Sequence, residues 1–189
     1  GGGPDLTTAG LRPADAVLLL NAHPSRARLN TEWLDPAIID ELDPFRRETS
    51  LDMYHPDNSA PFSSDFIELY RAGQLARNRR ISAWAEAQLA ELTSAGHWPD
   101  GLDDLAFVIH GTAADLRFLA GKIAPSDRQI GVTLWGLPPV ANYMPAGISR
   151  VSTLRSWLNQ WSIDHTNGDS LRWLPTIEAP VQVVLGTAD

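Results

Sequence analysis

The chain has 189 residues, 43% of them apolar, and a formal charge of −8, which fits a folded core and argues against nucleic acid as partner. The same acidity argues against an anionic membrane surface, and no apolar run approaches the roughly 18 residues that span a bilayer. With no cysteine there is no disulfide framework, thiol nucleophile or thiolate metal site, and the expected compartment is the cytoplasm.

Residues 1–15 read as loop, and Gly1-Gly2-Gly3, where a start methionine would stand, suggests that the beginning is not the natural one. Ala16-Val-Leu-Leu-Leu20 is a short continuous apolar run, the pattern of a strand covered on both faces, and Pro24 terminates it. Residues 26–62 read as irregular, apart from a short helix over 36–42 with Asp35 as N-cap and Pro36 at its first position.

A long helix is expected over 64–95, capped by Ser63 or Ser64 and ended by Gly96, with Asn78 as the place where it would break. Phe66, Leu69, Tyr70, Gly73, Ala76, Trp84 and Leu92 give it a partial apolar stripe. Arg71, Arg77, Arg79 and Arg80 mark the solvated side. Strands are expected over 105–109 and, more weakly patterned, 130–135, and the Gly- and Pro-rich stretch 136–149 reads as loop.

Ser152 or Thr153 then caps a helix to about Ile163, with Leu154, Trp157, Leu158 and Trp161 on one face. After a turn over 165–169, Pro180 opens a last strand built from Val181, Val183, Val184 and Leu185. Gly186 leads from it to Asp189, at the carboxyl end of the strand, where α/β proteins gather their chemistry.

Two strands at 16–20 and 181–186 thus bracket about 160 residues of helix and loop, an insertion of the size of a lid or cap. The expected fold class is α/β, organised as a core segment (1–25), a mainly helical cap (26–170) and a second core segment (171–189).

Ala179-Pro-Val-Gln-Val-Val-Leu-Gly-Thr-Ala-Asp189 resembles the penultimate core strand of the α/β-hydrolases, bacterial and serine-type, with its Gly-x-x-Asp turn. Asp15-Ala-Val-Leu-Leu-Leu-Asn-Ala-His23 is similar to the preceding core strand. The material between, including Thr31-Glu-Trp-Leu-Asp-Pro36 and Ser152-Thr-Leu-Arg-Ser-Trp157, looks like the cap of a bacterial branch. The resemblance implies that Asp189 is the catalytic acid orienting a histidine. It also implies a serine in a Gly-x-Ser-x-Gly elbow upstream and a histidine downstream. No serine of this chain sits in such an elbow and nothing follows Asp189, so a fragment holding cap and partial core, inactive alone, is expected.

Other residues have plainer roles beside a functional one. His23 is a candidate for lining the substrate pocket at the rim of the first strand; His23 with Ser25 as base and nucleophile is disfavoured because Pro24 intervenes. Trp33, in the loop after that strand, is a second substrate-binding candidate, with core packing at least as good an account. Trp157 and Trp161 read as core. Asp103, Asp104 and His110 match no metal-ligand spacing, while Asp115 and Arg117, like the arginines at 77–80, read as solvated face.

The resemblance implies a hydrolase of a carboxylic ester or related acyl compound, with a small-molecule acyl substrate and no cofactor or metal. The rival reading is a non-catalytic α/β or helical binding module.

Overall fold

The computed structural model describes residues 8–96, 103–121, 129–133 and 135–186. Strand β1 (Val17–Leu20) ends at Asn21, which takes a positive φ of 43°. Ser25 then caps helix α1 (Arg26–Trp33), its hydroxyl accepting from the Arg28 amide. This helix lies inside the stretch expected to be irregular. Its sequence, with Asn30 and Thr31 buried, has no apolar stripe to announce it.

The expected helix over 36–42 does not form. Asp35 does accept from the Ala37 amide at 3.1 Å, but the chain only turns there before Ile38 bridges to Arg47. Short 3-10 turns at Thr49–Leu51 and Pro56–Asn58 lead to helix α2 (Ser64–Ala95). Its limits are those the capping signals set. Ser63 accepts from the Phe66 amide, and Gly96 closes the end with a left-handed φ of 65°.

Helix α2 runs unbroken through Asn78, whose side chain bonds to other elements and not to the helix backbone. Asn78 donates to Thr31 at 3.0 Å and to the Trp161 carbonyl at 2.8 Å, and accepts from the Ile163 amide at 3.0 Å. The arginine side is likewise not solvated as expected. Arg77 is fully buried and Arg71 half-buried, and only Arg79 and Arg80 reach solvent substantially. The inward face of α2 is thus a polar stripe of Gln74, Arg77, Asn78 and Ser82 mixed with Tyr70, Ile81 and Ala85.

Strand β2 (Ala106–Val108) pairs antiparallel with β3 (Val151–Thr153). Between them Pro138 and Pro139 start helix α3 (Pro138–Tyr143) in a stretch expected to be loop, proline being favoured in a first helical turn. No strand forms among the described residues of 130–135; Thr133 makes a single bridge to Gly136. Thr153 caps helix α4 (Leu154–Ser156), which widens into a π turn over Trp157–Trp161, closed by the Ser162 amide on the Trp157 carbonyl. Helix α5 (Ser170–Trp173) and a 3-10 turn precede β4 (Val181–Val184).

Two small sheets result, β1 with β4 and β2 with β3, so the fold is mixed α/β. β1 and β4 are parallel, Val17 opposite Val181 and Leu20 opposite Val184. Asn21 locks the ends, its amide on the Val184 carbonyl and its side-chain oxygen accepting from Gly186. This pair stays outside the core: Leu18 is 61% exposed, Leu20 65% and Val183 54%. The continuous apolar run read as a strand covered on both faces is therefore uncovered among the described residues.

The core lies within 26–170, in three clusters. Leu34, Ile81, Ala85, Ile109, Leu154 and Trp157 form one; Trp33, Ala113, Phe118 and Ala141 the second; Met53, Tyr70, Ala114 and Leu116 the third.

Candidate functional site

Asp189 lies outside the described residues. His23 is exposed and Trp33 is packed against Phe118 and Trp135 at ring separations of 5.6 and 5.7 Å, so the structure does not bring these two into one site. Trp33 is a core residue here, 5% exposed, and Trp157 is fully buried as expected. Among the described residues no group of three His, Asp or Glu could hold a metal ion, and no helix is long and apolar enough to cross a membrane. Asp103 instead binds Arg155 at 3.0 Å, and Asp104 accepts from the Leu105 and Arg155 amides.

What the fold does build is a groove of about 580 Å³ between α2, β2 and the loop over 39–44. That volume is in the range of small-molecule sites, roughly 300–1,000 Å³. Ile81, Trp84, Leu105 and Phe107 give apolar walls, with Trp84 edge-on to Phe107 at 4.9 Å. The polar lining is confined to Asp40, Glu41, Arg80 and His110.

Glu41 fixes the loop to the helix. Its carboxylate accepts from Arg77 Nε at 3.0 Å and Nη2 at 2.6 Å, and from Arg80 Nη2 at 2.7 Å. Burial pushes the Glu41 carboxyl up, but the bonds and charges of Arg77 and then Arg80 outweigh it and hold the group below the usual carboxylate range. Arg77 spends its remaining donors on the carbonyls of Asp35, Gly111 and His110, which satisfies all five N–H groups of a buried guanidinium. Gly111 makes room for this. Its φ is +61°, and a Cβ there would lie 2.7 Å from both Asp35 Cβ and Ile38 Cδ1.

His110 stands at the end of β2, and its Nδ1 lies 3.3 Å from Arg150 Nη1. A guanidinium can only donate, so Nδ1 accepts and the imidazole proton sits on Nε2. Burial first, then the Arg150 and Arg77 charges, keep the imidazole below its usual range, against a smaller opposing effect of Glu41. A neutral His110 of this tautomer is a hydrogen-bond donor through Nε2 and not a base poised to take a proton.

A second constellation has the residue types of a catalytic triad. Ser162 Oγ is 2.7 Å from His165 Nδ1, and His165 Nε2 is 2.8 Å from Glu86 Oε1. The chain continues inward, since Ser162 also meets Ser82 at 2.8 Å and Ser82 accepts from Trp157 Nε1 at 3.0 Å. Ser162 is fully buried, so no substrate carbonyl can reach its oxygen. The arrangement stitches the π turn to α2.

Sequence reasoning weighed His110 only as a metal ligand, Arg80 as solvated face and Trp84 as core stripe. The groove joins residues from three segments far apart in sequence, and no local spacing signals it. The Glu86–Ser162–His165 chain escaped because a search for glycine-flanked serines does not detect it. Asp115 and Arg117 also differ from the expected solvated face: Asp115 is 1% exposed and binds both Arg71 and Arg117, and Arg117 reaches Glu32 at 2.8 Å. No family model, no curated protein and no solved structure matches the chain.

Proposed function

We propose that the chain is the cap and adjoining core of a serine-type α/β-hydrolase acting on a carboxylic ester or related acyl compound. The observation that carries this reading is the parallel pairing of β1 with β4 across nearly the whole chain. Parallel neighbours need a crossover, ordinarily one helix. Here the crossover is a unit with its own clusters of buried residues, as in a strand-cap-strand insertion. The exposure of Leu18, Leu20 and Val183 on the pair supports further sheet and helices around it, because parallel strands are normally buried on both faces.

In that enzyme a serine attacks the carbonyl, a histidine takes its proton, and the acyl-enzyme is released by water. Asp189 holds the histidine in the required tautomer and stabilises its charged form. The serine and histidine come from outside this chain. The test is a serine-directed fluorophosphonate on the intact protein of which the chain is part. Labelling of a serine outside residues 1–189, with loss of p-nitrophenyl ester turnover, supports the reading; turnover that survives complete labelling, or no turnover at all, sinks it.

A binding module is the second reading, favoured by the groove and by a core confined to residues 26–170. It requires no chemistry at Asp189.

A further inference from the structure

Arg150 is 1% exposed, and its guanidinium donates to the carbonyls of Asn142 and Ala141, to Thr112 Oγ1 and to His110 Nδ1. Its Nε has no partner, and no carboxylate forms an ion pair with it among the described residues. Glu41 is committed to Arg77 and Arg80, and Asp35 to Arg47 at 2.9 Å. A buried cation without an anion is costly, and carbonyl dipoles offset that cost only in part.

His110 joins Arg150 to the groove wall, taking the Arg150 hydrogen bond on one ring nitrogen and carrying its proton on the other. A neutral imidazole polarised this way by a cation is a strengthened donor. The remaining walls offer Trp84, Ile81 and Phe107 to an apolar body.

We propose that the groove binds an aliphatic carboxylate, its head accepting from His110 Nε2 and answering the Arg150 charge, its chain lying along Trp84, Ile81 and Phe107. Arg80 also lines the groove but is held by Glu41 and the Ile38 carbonyl, both at 2.7 Å, while Asp40, which lies 3.6 Å from Arg46, is the one carboxylate of the lining outside the Glu41 cluster. The inference stands on the groove alone, so it holds or fails separately from the hydrolase reading. Were both correct, the ligand class would be the acid released from an ester.

Titration calorimetry of the purified chain with decanoate, decanol and decylamine, each below its aggregation limit, decides it. Decanoate is expected to bind at least about tenfold more tightly than decanol, with the amine weakest, as a charge-assisted hydrogen bond implies. His110→Ala should abolish the preference for decanoate over decanol. Equal affinities in the unaltered chain, no binding of either, or a decanoate preference that survives His110→Ala each overturn the proposal. The comparison of the three ligands is decisive alone if His110→Ala does not fold.

Discussion

Glu41 grips Arg77 through two hydrogen bonds, of 3.0 and 2.6 Å, and so ties the loop that walls the groove to the middle of α2. Arg77 is wholly buried, which makes the pair asymmetric. Replacing Glu41 by Ala leaves an uncompensated guanidinium in the interior and should cost about 3 kcal/mol in a denaturant titration. Adding Arg77→Met removes the stranded charge but also the donors to the carbonyls of Asp35, Gly111 and His110, so the double variant should recover only part of that loss. A double variant no more stable than Glu41→Ala would show that the ion pair is not what holds the loop.

Two ionisable groups of the groove predict a stepped loss of stability in acid. The His110 imidazole is held below its usual range, so the unfolded chain takes up a proton that the folded chain refuses. That contribution is intact above about pH 6.5, the ordinary histidine value, and declines as pH falls through it. The Glu41 carboxyl is also held low, so its contribution persists above the ordinary carboxylate value and is lost as pH falls further, through the lowered value of the folded state. Melting temperatures from neutral pH to about pH 2 should therefore fall in two stages, and His110→Gln should flatten only the first. A single stage, unaffected by that substitution, would contradict the placement of His110 beside Arg150 and Arg77.

The buried Ser162 should be inert despite its histidine and glutamate. A fluorophosphonate should leave Ser162 unlabelled in the folded chain, as mass spectrometry of peptides would show. Ser162→Ala should cost about 1–3 kcal/mol, because it strips a partner from the buried Ser82 and from His165. Labelling of Ser162 would mean that the site opens to solvent.

Legibility of the fold in the sequence followed local chemistry. Ser63 and Gly96 bound α2 because a cap hydroxyl and a left-handed glycine are local devices. The strands at 17–20 and 181–184 were readable from β-branched and aliphatic runs. What escaped was the inner face of α2. A stripe of Gln74, Arg77, Asn78 and Ser82 looks like a solvated face until the partners Glu41, Thr31 and Ser162 are placed opposite it, and those come from distant segments. Helix α1 escaped for the same reason, its buried Asn30 and Thr31 accepting hydrogen bonds from Ser149 and Asn78 in distant segments. The groove has no signature at all in one-dimensional spacing, and the proposed acid Asp189 rests on a resemblance confined to the last eleven residues.

The most direct measurement is steady-state ester hydrolysis by the intact protein carrying Asp189→Asn. If Asp189 orients the catalytic histidine, kcat should fall by about 10⁴-fold with little change in KM, since the wrong imidazole tautomer is then stabilised. A variant that hydrolyses esters as fast as the unaltered protein would contradict the assignment of this chain to a serine-type hydrolase core.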